Sequence, residues 1–311
     1  MSFSGEVKEE LSAVISTSRH CQIAELAAMV CYGGRLESGE RQRSLTVQTE
    51  NEKVIRKGFT LLQKSFNICT GITGKGPYSL KIREEASLTR LLQTLKMSDC
   101  CTEADGHIDT VNPLLIKNAC CRRAFLRGAF LVSGSMSDPE KSYHLEFVCL
   151  TQGQALQLQE MIRDFGMEAR IVIRKNHFIV YMKEGAGIVD LLNVTGAHIS
   201  LMHLENLRIV KEMRNSINRR VNCETANITK TVNASSKQIE DIMLIQDTQG
   251  LKGLPDVLRK TALIRLEYPD ATLKELGQYL NPPVGKSGVN HRLRKLSEIA
   301  ESIRGYKEET L

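Results

Sequence analysis

The sequence has no apolar run of the roughly 18 residues that a bilayer-spanning helix needs, so no membrane segment is expected. Its start, MSFSGEVKEELSAVI, lacks the basic-then-apolar order of a secretory signal and reads as Glu-rich helical structure. The expectation is therefore a cytoplasmic chain whose nine cysteines are reduced thiols. No CxxC spacing occurs and the histidines are scattered. The cysteines, including the adjacent pairs Cys100–Cys101 and Cys120–Cys121, accordingly read as small core residues, with no metal, cofactor or small-molecule site expected. Also missing is any repeat of about 20–50 residues, which excludes a solenoid. A composition of 41% hydrophobic and 25% charged residues excludes a disordered chain.

What is present is length and a mild excess of positive charge. At 311 residues, two or three compact units are expected. Lys plus Arg exceed Asp plus Glu by 42 to 36, a net charge of +6 that permits a polyanionic partner without requiring one. The placement of the charges has to decide.

A long internal repeat organises the first two hundred residues. AELAAMVCYGGRLES from Ala24 matches AFLRGAFLVSGSMSD from Ala124, with Leu26 aligned to Leu126 and Gly34 to Gly134. The same offset pairs the strand-like SLTVQT (44–49) with YHLEFV (143–148), and YSLKIRE (78–84) with HFIVYMK (177–183). It also pairs the helix ends near Phe66 and Phe165, and Leu91-Leu92 with Leu191-Leu192. These matches predict two copies of an αββαββα unit, at about 20–100 and 120–200, related by pseudo-two-fold symmetry. Ala27, Ala28, Gly33 and Gly34 in one opening helix, and Gly128, Ala129 and Gly134 in the other, would let two backbones approach closely.

The small-faced helix, duplicated at this spacing, resembles the LAGLIDADG homing endonuclease fold. That resemblance implies an α+β domain in which the paired helices form the central interface and the strands a saddle across DNA. In the nucleases the eighth motif position of each helix is an acid that holds a divalent metal. Here those positions fall on Gly33 and Ser133, neither of which supplies a carboxylate, so nuclease activity is expected to be lost. Glu37 and Asp138 lie beyond the motif and read as solvated loop acids. The saddle is still a possible secondary contact with the DNA backbone. In SLKIR, Leu80 and Ile82 face one way and Lys81 and Arg83 the other. Arg35, Arg41 and Arg43 cluster near the first hairpin, and Arg170, Arg174, Lys175 and Lys183 near the second. The interleaved acids Glu37, Glu40, Glu50, Glu84 and Glu85 argue instead for ordinary surface charge.

The chain therefore divides into a duplicated domain at 1–205, a connecting segment at 206–235 and an all-α domain at 236–311. The connecting segment has helical spacing interrupted by an Asn- and Thr-rich turn. Cys223 there has no placed histidine to make it a nucleophile. In the last domain, Leu254, Leu258, Ala262 and Leu266 share a helical face that Pro269 ends. Thr272 with Glu275 forms a capping box for TLKELGQYL, and Pro282-Pro283 stops that helix.

Ser287 is the expected N-cap of a third helix, whose apolar stripe is Val289, Leu293, Leu296, Ala300 and Ile303. Ser287, Asn290, His291, Arg294 and Lys295 then point away from the stripe, with Arg292 on its flank. From Lys286 to Lys307 six basic residues face two acidic ones, +4 of the chain's +6. A helix-turn-helix motif at about 271–304, reading double-stranded DNA through the first half of its last helix, needs this arrangement. The candidate DNA-binding residues are Thr272, Lys274, Lys286, Ser287, Asn290, His291, Arg292, Arg294 and Lys295.

The run L-K-E-L-G-x-Y-L-x-P-P-V-x-K-S-G-V-N-H-R-L-R-K-L (273–296) closely resembles the C-terminal motif of the WhiA family. Those bacterial proteins join a degenerate LAGLIDADG domain to a helix-turn-helix similar to sigma-factor region four. The resemblance covers nearly the whole chain. It implies a nucleoid-associated transcription regulator, not an enzyme, tied to cell division, chromosome segregation and, in some bacteria, sporulation. Two rival readings are a metal-dependent LAGLIDADG endonuclease, and an adaptor whose first domain binds RNA polymerase, a sigma factor or a division protein.

Overall fold

The computed structural model describes residues 2–38, 43–97 and 106–308; Glu40, Arg41, Cys100 and Cys101 lie outside them. The chain forms two compact units, Met1–Lys211 and Glu212–Leu311.

The first unit carries the αββαββα pattern twice. One copy runs α2 (Arg19–Gly33), β1 (Gly34–Ser38), β2 (Arg43–Thr49), α3 (Glu52–Phe66), β3 (Ile72–Thr73), β4 (Tyr78–Ile82) and α4 (Glu85–Thr94). The second runs α5 (Ala119–Ser133), β5 (Gly134–Met136), β6 (Leu145–Cys149), α6 (Gln152–Arg163), β7 (Arg170–Arg174), β8 (His177–Met182) and α7 (Gly185–Thr195). Helix α1 (Phe3–Ala13) precedes them and buries Phe3, Val7 and Leu11. Each copy makes an antiparallel four-stranded sheet, in the orders β1-β2-β4-β3 and β5-β6-β8-β7. The repeat reaches into the register. Gly34 stands opposite Val47 as Gly134 stands opposite Phe147, and Leu45 opposite Ile82 as Leu145 opposite Met182.

The strands alternate as half-buried strands must. Leu45, Val47, Leu80 and Ile82 turn to the helices, as do Leu145, Phe147, Val180 and Met182. At the centre, α2 is buried on nearly every side from Ala24 to Tyr32, and α5 from Ala124 to Leu131, which is the pattern of a helix inside a core. Their contact requires Gly128: a Cβ there would run into the backbone oxygen of Glu25.

A buried charge cluster sits at that contact. Both oxygens of Glu25 accept from Arg127, each at 3.0 Å, and Lys57 Nζ from α3 lies 2.5 Å from Oε1. Further acceptors surround the pair: Arg127 also donates to the Thr195 carbonyl and the Ser16 hydroxyl, and Lys57 to the Leu11 carbonyl. Burial pushes the Lys57 amine down to about 8, against the upward pull of Glu25. One carboxylate thereby holds α2, α3 and α5 together.

Helix α8 (His198–Thr248) runs without a break through the segment read as a connecting stretch with a turn. Its polar side chains do not draw the backbone into a turn because they are solvated or bond to their own helix. Thr231 donates to the Asn227 carbonyl, and Arg220 pairs with Glu224 one turn on. Cys223 and its neighbours are therefore helical, not a turn. From Ser235 onward α8 acquires partners within the second unit, alongside α9 (Asp256–Glu267), α10 (Leu273–Tyr279) and α11 (Lys286–Glu308). Ile242 and Ile245 join Leu258, Ala262, Leu276, Val289, Leu293, Leu296 and Ala300 in one core.

Removing the Glu25 carboxylate leaves two buried cations facing each other. Glu25→Ala is expected to lose about 3–5 kcal/mol in urea unfolding followed by circular dichroism. Lys57→Met leaves the Glu25–Arg127 fork intact and should cost clearly less. Equal losses would remove the carboxylate from the centre of the cluster.

Candidate nucleic-acid interface

The second unit builds a helix-turn-helix from local rules. Thr272 Oγ1 accepts from the Glu275 amide at 3.4 Å, and Glu275 Oε2 accepts from the Thr272 amide at 2.7 Å, the reciprocal cap expected for α10. That backbone bond also holds the Glu275 carboxyl below its usual range. After α10 the chain returns over it: the Val284 amide donates to the Gly277 carbonyl at 2.9 Å, and a Cβ on Gly277 would collide with the Val284 oxygen. Helix α11 starts one residue before the expected Ser287 cap, at Lys286. The Gly285 carbonyl accepts from the amides of Gly288 and Val289, so glycine occupies the cap position.

The stripe of α11 is inside: Val289, Leu293, Leu296 and Ala300 are each at most 1% exposed, and Ile303 packs against them. Lys286, Ser287, Asn290, His291, Arg294 and Lys295 are exposed on the outer side of the same helix, and Arg292 is half-buried. Thr272 and Lys274 are exposed at the start of α10. All nine candidates thus belong to the two helices of one motif or the turn between them. Arg294 leans toward Glu298 at 3.5 Å, an exposed pair of little strength.

Other cations of this unit are committed to the fold. Arg304 donates to the fully buried Asp241 of α8 at 2.7 Å. Arg265 is 2% exposed and donates to Gln238 and to the carbonyl of Ala271. Arg304 therefore contributes to the charge count of α11 while anchoring the helix. No pattern in the sequence separates it from the outward cations.

In the first unit the basic residues proposed for the saddle stand beside acids. Leu80 and Ile82 are buried while Lys81 and Arg83 face outward, as the alternation requires. Lys81 Nζ donates to Glu37 at 2.8 Å, which holds the Glu37 carboxyl below its usual range, and Arg43 pairs with Glu85. Arg35, Arg170, Arg174, Lys175 and Lys183 are exposed.

Gly33 and Ser133 end α2 and α5. Gly33 stands against Val132, and the Ser133 hydroxyl donates to the Ala129 carbonyl at 2.9 Å. Glu37 lines a cleft of about 290 Å³ with Gly33, Gly34 and His107, but is bonded to Lys81 and Ser44. Asp138 caps its own turn through the Glu140 amide.

Among the described residues, the single group of three or more His, Cys, Asp or Glu side chains converging like metal ligands lies at the other ends of these helices. It consists of His20, Cys21, Cys120 and Cys121. Cys120, like Cys69 and Cys223, is exposed rather than a core residue. Burial and the neighbouring thiols push the Cys21 thiol up to about 12.

Three family models match successive parts of the chain. Residues 19–85 match the family model of the WhiA N-terminal LAGLIDADG-like domain, 122–214 that of the WhiA LAGLIDADG-like domain, and 217–300 that of the WhiA C-terminal HTH domain. A probable cell division protein WhiA of Lachnoclostridium phytofermentans is 50% identical over 98% of this chain and 100% of its own length. Its counterpart in Clostridium beijerinckii is 47% identical over 99% and 100%. The crystal structure of full-length WhiA from Thermatoga maritima, 26% identical, covers 97% of this chain and 99% of that one with a TM-score of 0.59.

Alanine at Gly277 should disrupt the α10 turn by overpacking, at about 1–3 kcal/mol, while Thr272→Ala should cost about 1 kcal/mol through the lost cap. Amide exchange of α10 and α11 reads both effects. Unchanged protection in Gly277→Ala would contradict the close approach.

Proposed function

The chain belongs to the WhiA family, and from that premise we propose that it is a sequence-specific DNA-binding transcription regulator without nuclease activity. The observation that carries this reading is the outer face of α11. Asn290, His291, Arg294 and Lys295 stand exposed on the first half of a helix whose opposite face is locked into a core. Arginine and lysine on such a helix reach guanine edges or phosphate, and asparagine reads adenine. The names of the relatives support a role in bacterial cell division; chromosome segregation and sporulation are part of the proposal alone. A cytoplasmic, nucleoid-bound location follows from that role. No helix among the described residues is long and apolar enough to cross a membrane.

Loss of cleavage is supported by the helix ends. Hard divalent cations require several anionic oxygens, and Gly33 and Ser133 offer none. The Glu37 carboxylate is occupied by Lys81. The duplicated unit then serves as a binding scaffold. Acids beside Lys81 and Arg43 lower the net positive charge of this face, and on that ground we read the unit as a surface for a protein partner, such as RNA polymerase, a sigma factor or a division protein, before a DNA backbone contact.

Arg294→Ala/Lys295→Ala is expected to weaken binding to duplex DNA and to flatten the log-log salt dependence by about one unit per lost phosphate contact. Lys81→Ala should leave that slope unchanged. An unchanged slope in the α11 double variant would overturn the assignment of the reading helix. Incubation with duplex DNA and magnesium or manganese should give no cleavage, and chelator-sensitive cutting would restore the nuclease reading.

A further inference from the structure

The two repeats bring four soft ligands together at the first turns of α2 and α5. His20 and Cys21 follow the start of α2, Cys120 and Cys121 that of α5, and the offset of the repeat makes 20 equivalent to 120 and 21 to 121. The ligating atoms of all four residues lie within 4.8 Å of one another. His20 Nδ1 faces the three sulfurs, at 3.2 Å from Cys121, 3.3 Å from Cys21 and 4.0 Å from Cys120.

A tetrahedral zinc with Zn–S near 2.3 Å and Zn–N near 2.0–2.1 Å places nitrogen and sulfur roughly 3.5 Å apart, and two sulfurs roughly 3.8 Å apart. The observed nitrogen–sulfur distances bracket the first value, so small side-chain rotations close the shell. The atoms are too close together to enclose a polynuclear cluster, and the donor set is that of a single soft ion.

We propose that His20, Cys21, Cys120 and Cys121 bind one zinc ion that staples the two repeats of the first unit. The burial pattern supports a site over simple packing. Cys21 and Cys121 are 6% and 3% exposed and share a small apolar cluster with Ala24 and Ala124, whereas Cys120 and His20 are exposed at its rim. Packing alone has no use for a thiol and an imidazole at that rim; an ion closed over by four protein ligands does. Such a shell leaves no open position for substrate, so the site is structural. The three thiols release their protons to solvent as the metal enters. The partly positive amide ends of α2 and α5, neither of which has a side-chain cap bond, favour the thiolates that result. The ion joins positions about 100 residues apart, at the ends of the helix pair away from Gly33 and Ser133.

The test uses the full-length chain purified with a phosphine reductant and no chelator. Elemental analysis should find about one zinc per chain. Cobalt(II) added to the apo form should give the intense visible ligand-field bands and near-ultraviolet thiolate charge transfer of tetrahedral sulfur ligation. Cys120→Ser and His20→Ala change exposed positions, so the fold should survive, as circular dichroism can verify. Their metal affinity should fall by about 100-fold or more. Chelator should lower the melting temperature of the unaltered chain and leave that of Cys120→Ser in place. A fully reduced chain that takes up neither zinc nor cobalt at micromolar concentration would overturn the proposal. So would equal uptake by the two variants, or thiol trapping in cells that finds these cysteines as a disulfide in a chain that binds no metal once reduced.

Discussion

The first unit depends on how closely α2 and α5 approach. Gly128 lets the backbone of α5 come down on the Glu25 carbonyl of α2, and no other residue fits that position. The approach places the Glu25 side chain where water cannot reach it, so its charge has to be met from within. Arg127 comes from the facing helix and Lys57 from α3, and each also donates to nearby carbonyl or hydroxyl oxygens. A buried ion pair is a weak source of net stability, because desolvation offsets most of the attraction. It is a strong source of specificity, because any other docking of the helices would strand one of the three charges. Two sheets related by pseudo-symmetry then have a single way to flank the pair.

Much of this was legible in the sequence because duplication leaves a signal that composition does not. Paired matches such as Leu26 with Leu126 and Gly34 with Gly134 gave the order of elements, and the same offset reappears in strand register. The stripe of α11 was legible because five apolar residues fall on one face and their burial follows. The Glu25 cluster was not, because its members lie in three helices and only their fold brings them together. The helix across 206–235 was not either. Asn and Thr weaken helix propensity, but solvated positions and bonds back to the helix satisfy them without a turn.

The cysteines show where the reading stopped short. Spacing along the chain gave no metal motif, since Cys21 and Cys120 are too far apart for one. Yet the repeat superposes His20 on Cys120 and Cys21 on Cys121, and two adjacent residues at equivalent helix starts must meet if those helices pair. The signal lay in combining the offset with the cysteine positions, and neither alone contains it. The same helix pair thus differs sharply between its ends. At one end stand Gly33 and Ser133, neither with a carboxylate; at the far end it gathers sulfur and imidazole.

The second unit separates its cations by a different physical rule. Arg304 meets the buried Asp241, and Arg265 is itself buried while donating to Gln238 and the Ala271 carbonyl, so both are fixed by the cost of leaving a buried group unpaired. Arg294 and Lys295 meet at most an exposed glutamate, and water competes for that pair on equal terms. A phosphate or a guanine edge can displace an exposed partner at little cost, whereas it cannot extract Arg304 from Asp241 without unseating α11 from α8. Charge count alone treats these residues alike. Burial at one end of the contact decides which cations hold the fold in place and which remain at the surface.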